Sequence, residues 1–535
     1  MTKAYDNVWR DGLWYKLWKA GIRGKMWRVL KNIYKKVESC VLIGDNRTDF
    51  FEIEVGVRQG CILSPLLFIL FINDLRDHLD KLGKGVQWGN FRISLLYFAD
   101  DVVLMSDSKE GLEAMLKLVY EYSTKWRLKF NFDKCQVVVF KKQVREQVQY
   151  GQCVGKCTCG HHFSFGPQLI KEVLHYTYLG VELDHCLSFK MFKERVIARA
   201  RSSMARIWGM GIRNGYLSVK GSINLYQGLV RSVLEYGSQI WGKEKWLPGE
   251  KVQIEMGIRI LRCSTMTTRE AIYGELGWWT LQARRDFKKI MYLFHLISLS
   301  NNDLRKKVYI VTKRTGKKSS FAKYMKQVLD TYKLGYLYED EKKFFNLDNR
   351  GNLEAKTLSS HKRFVEKWIR ARIHEQQKQE WWSNIIADGD MSSKKLRTYV
   401  TFKNTLCLEQ YLLVDSDAKG RSYHTSLRTG TNSLEIEKGR HLGIDKKFRF
   451  CKKCETKQVE DEFHFVIHCP LYKDFREKCF KSIFDISGGK WDLKNRPAKE
   501  TFLLLMGGTG DEYQNIIFRI FQCHLKRCFD LRNRE

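Results

Sequence analysis

Proline is nearly absent from this sequence, with 5 residues in 535. Such scarcity excludes a proline-rich linker or a collagen-like tract and favours long helices. Long apolar runs are missing too. The longest, Cys61 to Ile72, falls short of the roughly 18 residues that a membrane-spanning helix needs, so no membrane partner is expected. The first residues, Met1-Thr2-Lys3-Ala4-Tyr5-Asp6, hold none of the apolar core of a secretory signal. Internal repeats and low-complexity tracts are absent. Acidic residues are in short supply, 60 Asp+Glu against 94 Lys+Arg, a net charge of +34. An excess of that size points to a polyanionic partner, most simply nucleic acid. The 15 cysteines are odd in number and scattered. Without a secretory signal they read as reduced thiols or a metal site rather than a disulfide framework. An intracellular, reducing compartment follows, with nucleus and cytoplasm not separated. What is present is ordinary globular material, 44% hydrophobic and 29% charged, enough at ~150 residues per domain for three or four domains.

Strands and helices alternate up to about residue 185. A helical period runs from Asn7 to Lys35, with Asp6 at its N-cap position. Two strand-like runs, Cys40 to Ile43 and Phe50 to Val55, flank the turn formers Gly44-Asp45-Asn46-Arg47 and read as a hairpin. An apolar helix begins near Pro65. Then come two apolar strands around Asp100-Asp101, a helix carrying Leu112 to Trp126, and strands near Gln136 to Phe140 and Tyr176 to Leu183. Beyond that the pattern is almost wholly helical, with basic runs such as Arg305-Lys306-Lys307 interleaved with tryptophans, and a Cys/His cluster between 451 and 469.

Paired carboxylates at an apolar hairpin tip suit divalent metal, because Mg²⁺ prefers hard oxygen donors. Nucleotidyl transfer uses two such ions roughly 4 Å apart. Tyr97-Phe98-Ala99-Asp100-Asp101 resembles the catalytic turn of reverse transcriptases in the form common among non-LTR (LINE-type) retrotransposons. Gly56-Val57-Arg58-Gln59-Gly60-Cys61-Ile62-Leu63-Ser64-Pro65 resembles that family's nucleotide- and template-contacting segment. Asn131 and Lys134 match its next motif, Tyr178-Leu179-Gly180 its primer-grip hairpin, and Lys3-Ala4-Tyr5-Asp6 the tail of its first motif. The resemblance implies Asp100 and Asp101 as Mg²⁺ ligands and Lys134 as a cation near the leaving pyrophosphate. Arg58, Gln59, Gly60, Phe98 and Ala99 would shape the pocket for template base and dNTP. Tyr5 would be the gate against a ribose 2′-hydroxyl, and Tyr178, Leu179 and Gly180 the primer grip. One departure matters. The family's third catalytic carboxylate would stand immediately before Met1, so the chain is expected to be a truncated polymerase with little or no synthesis of its own.

The second cluster is Cys451-x2-Cys454-x9-His464-x4-Cys469, three thiolates and an imidazole suited to one tetrahedral, structural Zn²⁺. Spacing leaves His468 open as the fourth ligand. The block, with Leu427 to Asn432 and Glu437 to Arg440 before it, resembles the C-terminal zinc knuckle of non-LTR elements, which implies a grip on element RNA or target DNA. Cys153, Cys157, Cys159, His161 and His162 form a third cluster, read as a Cys-rich variable loop. Lys193, Arg195, Arg199 and Arg206 could face a template–primer duplex.

The resulting expectation is an α+β, right-hand polymerase: palm with partial fingers (1–190), helical thumb (191–290), basic helical connector (291–440), zinc knuckle (441–480) and helical tail (481–535). Its parent reaction would be RNA-templated DNA synthesis from dNTPs, on an element RNA template and a DNA primer or target. The rival reading is a non-catalytic RNA- or DNA-binding remnant or host-adopted protein. Oligomeric state is not readable.

Overall fold

The computed structural model describes residues 1–140, 148–149, 152–153, 162–243, 245–315, 320–340, 358–386 and 395–534. It divides into two compact units, residues 1–192 with 307–314 and residues 193–306 with 315–535.

The first unit mixes helix and sheet. Its opening helical period is two helices rather than one, α1 (Arg10–Lys19) and α2 (Gly24–Ile33). Gly21 and Gly24 take positive φ between them, the left-handed stop that glycine supplies without penalty. Asp6 does not cap α1: Trp9 holds that position, with no side-chain bond. A bent hairpin follows, β1 (Glu38–Ser39), β2 (Leu42–Ile43), β3 (Asn46–Arg47) and β4 (Phe51–Glu52), with β1 paired to β4 and β2 to β3. The apolar helix α3 (Leu63–Ile72) buries Leu67, Phe68, Phe71 and Ile72. It leads through α4 (Leu75–Lys81) and the hairpin β5 (Val86–Trp88)–β6 (Phe91–Ile93) to β7 (Leu95–Phe98) and β8 (Asp101–Leu104).

Helix α5 (Lys109–Trp126) starts where Ser108 accepts a hydrogen bond from the Gly111 amide at 3.1 Å. Its face of Met115, Leu116, Val119, Tyr122 and Trp126 joins Leu13, Leu17, Phe68, Phe71 and Leu75 in one core. The expected strand at Gln136 to Phe140 is only β9 (Gln136–Val137). After β10 (Val148–Gln149) and β11 (Gln152–Cys153), β12 (Phe163–Phe165) pairs antiparallel with β13 (Gln168–Glu172), which runs parallel to β9. The run near Tyr176 is itself a hairpin, β14 (His175–Tyr178) and β15 (Val181–Asp184). The third Cys/His cluster lies largely outside the described residues.

The second unit is helical. Helices Leu247–Leu261, Arg269–Leu276, Leu281–Ser298 and Leu358–Ile386 pack together. Helices Ala418–Arg428, Lys473–Ile486, Ala498–Gly507 and Gln514–Arg534 enclose a separate apolar core of Leu427, Phe465, Val466, Phe502, Leu505, Phe521 and Leu525. Among the described residues no helix is long and apolar enough to cross a membrane.

Candidate active site and metal centre

The β7–β8 hairpin pairs Leu95 with Leu104 and, at its tip, Phe98 with Asp101. Ala99 takes φ 52°, a left-handed conformation uncommon for a residue with a Cβ. That turn reverses the chain at Ala99-Asp100, so Asp100 and Asp101 stand exposed and adjacent while Leu95, at the base, is buried. The Tyr97 hydroxyl donates to the Ile72 carbonyl at 3.3 Å and ties the hairpin to α3; burial pushes this phenol well above its ordinary range.

Three segments surround the acidic turn. The Met1 ammonium donates to the Asp100 carbonyl at 2.9 Å, and the Thr2 amide donates to Lys129 at 2.8 Å. The first residues thus lie between the turn and the segment bearing Lys134, which ends a 3-10 turn (Phe132–Lys134) capped by Asn131. In the β14–β15 hairpin, Leu179 and Gly180 have φ 47° and 77°, the paired positive angles of a tight hairpin turn. Burial, then the Asp101 carboxylate, raises the phenols of Tyr176 and Tyr178, which puts this hairpin in the field of Asp101. Tyr176, two positions before Tyr178 on the same strand, shares this field, though no motif marks it in the sequence.

A second group forms around the glycine-bounded segment. The amides of Gly56 and Val57 donate to the carbonyls of Val8 and Tyr5 at 2.9 and 2.8 Å. A Cβ on Gly56 would stand 2.6 Å from the Asp6 carbonyl oxygen, so glycine is needed for this approach. Asp6, freed from capping, accepts a hydrogen bond from Gln59 Nε2 at 2.7 Å. The Tyr5 ring meets Phe68 edge to face at 5.2 Å. Gly60 is exposed with φ 81°. Arg58 turns aside, donating to the Ile33 carbonyl at 3.2 Å. No hydrogen bond among the described residues joins Arg58 or Lys134 to Asp100 or Asp101.

The donors at the turn fit Mg²⁺, which is commonly held by one or two carboxylates together with substrate phosphates. Among the described residues no third His, Cys, Asp or Glu completes a cluster there; the cluster that does form is Cys451, Cys454, His464 and Cys469. Their ligand atoms lie within 4.8 Å of one another, a donor set suited to zinc. The Cys454 sulfur is 3.5 Å from His464 Nε2, and the other ring nitrogen lies 3.0 Å from Gln458 Oε1, as expected when an outer residue orients a ligating imidazole. The fourth member is therefore His464; His468 lies edge-on to Phe463 at 4.9 Å. Glu460 accepts from the Cys451 thiol at 3.3 Å and is gripped by Arg532 of the C-terminal helix. Gln458, Glu460 and Arg532 escaped the sequence reading because nothing in their spacing marks them.

Residues 1–183 match the family model described as reverse transcriptase (RNA-dependent DNA polymerase). The chain is 27% identical over 249 residues to the RNA-directed DNA polymerase from mobile element jockey of Drosophila melanogaster, covering 45% of this chain and 25% of the relative. Identity to the probable RNA-directed DNA polymerase from transposon X-element of the same fly is 25% over 256 residues, with coverage of 45% and 25%. The Pol polyprotein from its type-2 retrotransposable element R2DM is 30% identical over 187 residues, with coverage of 34% and 17%. The chain thus spans about a quarter of the length of the first of these relatives. Residues 1–183 thus match a reverse transcriptase domain and are similar to the RNA-directed DNA polymerases of mobile elements such as jockey and the X-element.

Proposed function

We propose that the chain is the polymerase and zinc-knuckle portion of a LINE-type RNA-directed DNA polymerase. The observation that carries this reading is the β7–β8 hairpin with its left-handed Ala99 and two exposed carboxylates at the tip. Residues 1–190 would act as palm with partial fingers, 191–290 as thumb, 291–440 as basic connector, 441–480 as zinc knuckle and 481–535 as tail. Bound Mg²⁺ would supply charge neutralisation on the triphosphate and on the primer's attacking oxygen. The protein's part is to position: Asp100 and Asp101 offer hard ligands, Tyr5 and the Asp6-held Gln59 shape the nucleotide pocket, and the Tyr178-Leu179-Gly180 turn holds the primer strand. Lys134 would add positive charge near the departing pyrophosphate. Cys451, Cys454, His464 and Cys469 would hold one structural Zn²⁺. Partners are then an RNA template, a DNA primer or target, and dNTPs.

The rival reading is a non-catalytic RNA- or DNA-binding protein. Primer extension on an RNA template with dNTPs and Mg²⁺ separates the two. The polymerase reading expects Mg²⁺-dependent synthesis, however weak, and the binding-only reading none. Asp100→Ala is expected to lower the rate at least ~100-fold, since metal ligation supplies several kcal/mol, and to leave RNA binding intact. Synthesis that survives Asp100→Ala would show the site to be misassigned, and no synthesis at all would hand the lead to the binding-only reading.

A further inference from the structure

The stretch leading into the Cys/His cluster is almost entirely exposed, yet it is held in one shape. Gly443, with φ 71°, turns the chain after helix Glu435–His441. Asp445 accepts from the Lys447 amide at 3.2 Å and caps the 3-10 turn Lys446–Phe448. The Arg449 guanidinium donates to the carbonyls of Ile444 and Ile436 at 2.8 and 2.9 Å. Phe450 bridges Val459, and the Glu460 amide donates to the Arg449 carbonyl at 2.9 Å. The next residue is Cys451.

On this frame Phe448 is 59% and Phe450 41% exposed. Their rings lie 6.5 Å apart at 78°. Burial of rings this size normally stabilises a fold, and this fold forgoes part of it. Two outward rings alone would suit many partners. Their surroundings narrow the choice: Lys446, Lys447, Lys452, Lys453 and Lys457 crowd the same seventeen-residue window, 441–457, against only Asp445 and Glu455. The Lys447 ammonium sits 5.0 Å from the Phe448 ring centre. Exposed aromatic faces ringed by cations are how proteins hold unpaired nucleotides, the rings stacking on bases and the cations following phosphates. An apolar protein partner would gain nothing from these lysines.

We propose that Phe448 and Phe450 form a stacking platform for the unpaired bases of a single-stranded nucleic acid, with Lys446, Lys447 and Lys453 on its phosphates. The inference rests on the reading of the 441–480 module as nucleic-acid-binding. It adds which surface binds and that the strand is unpaired, because bases inside a duplex already stack on one another.

The test uses the full chain, loaded with zinc, in 200 mM salt so that phosphate contacts elsewhere weaken. Probes are a 20-mer oligo(U), the matching oligo(dT) and a 20-base-pair duplex. Phe448→Ala with Phe450→Ala is expected to weaken both single strands about tenfold or more, as loss of one stacked base costs ~1–3 kcal/mol, and to leave duplex affinity within twofold. Phe448→Trp should restore binding in the Phe450→Ala background, whereas Phe448→Leu, apolar but without a π face, should not. A 5-iodouridine oligonucleotide should crosslink within 448–450. A greater loss for oligo(U) than for oligo(dT) identifies RNA as the ligand, and the reverse identifies DNA. Unchanged single-strand affinity with no crosslink in this segment would overturn the platform, as would equal loss for the duplex. Zinc content tells the two levels apart: one equivalent retained in the Phe variants leaves the module's own assignment standing, whatever the platform does.

Discussion

Lys16 lies inside the first unit, its ammonium donating to the Phe71 carbonyl at 2.6 Å and to Asp74 at 2.7 Å. It also bonds the Tyr122 hydroxyl and stands 3.8 Å from the Trp126 ring centre. Burial pulls its pKa from 10.5 down to about 8, with Asp74 opposing. In an unfolded chain Lys16 keeps its proton up to about 10.5, so between pH 8 and 10.5 the unfolded state binds more protons and stability rises with pH. Below pH 8 the cost of burying the charge is present in full. Tyr122, raised by burial and by Asp74, works the other way above pH 10, where the unfolded phenol ionises. Denaturant melts of the wild type should therefore gain ~2 kcal/mol between pH 7 and 9.5 relative to Lys16→Met. Parallel curves for the two proteins would mean the ammonium is not desolvated. In sequence Lys16 is one of 94 basic residues, and only the packing of α1 against α3 and α5 sets it apart. Asp6 teaches the same lesson. Its place before an apolar period reads as a cap, but the chain stays irregular to Trp9 and the carboxylate meets Gln59, 53 positions on.

Between elements, one tie in the second unit is a buried charge cluster. Arg428, at the end of helix Ala418–Arg428, grips Glu275 of helix Arg269–Leu276 through Nε and Nη2 at 3.0 and 2.9 Å, and reaches Glu409 at 2.7 Å. Both Arg428 and Glu275 have fully buried side chains. The Tyr411 hydroxyl adds a bond to Glu275 at 2.5 Å, and Lys403 pairs with Glu409. The carboxyl of Glu275 is held below its usual range by Arg428 in spite of its burial. Arg428→Met is expected to destabilise the unit by ~3–5 kcal/mol, because it strands a buried carboxylate. Adding Glu275→Leu should recover much of that loss. A single-variant effect under ~1 kcal/mol in thermal or urea melts would refute the role. Arg428 belongs to the Leu427 to Asn432 block, whose resemblance says nothing of where the guanidinium points. Hairpins are easier to read: apolar flanks announced the 95–104 pair, since a local turn sets register, whereas between 38 and 52 the hairpin exists but Asn46–Arg47, expected in the turn, pair with Leu42–Ile43. The single helix expected from Asn7 to Lys35 was less legible, because an apolar period survives a glycine break that φ does not.

For the molecule as a whole, the excess of 34 positive charges is a statement about partners rather than fold. Binding to RNA is expected to release counterions, with affinity falling ~10³-fold between 50 and 200 mM salt if about six phosphates are engaged. Fluorescence anisotropy with a labelled RNA checks this; a flat salt dependence would set the charge aside as the source of affinity. The sequence by itself determined which chemistry the protein carries: adjacent acids at an apolar hairpin, three cysteines and a histidine at knuckle spacing, and a basic surface. These are local or additive properties, fixed by neighbours in the chain. Tertiary structure decided what depends on distant segments meeting. It chose His464 over His468 beside three sulfurs, brought Met1 to Asp100, turned Arg428 inward to Glu275, and left Phe448 outside. The Met1 and Arg428 contacts join segments 99 and 153 positions apart, where spacing and composition carry no information, and which ring nitrogen meets the sulfurs or which ring stays outside depends on side-chain direction that spacing does not set.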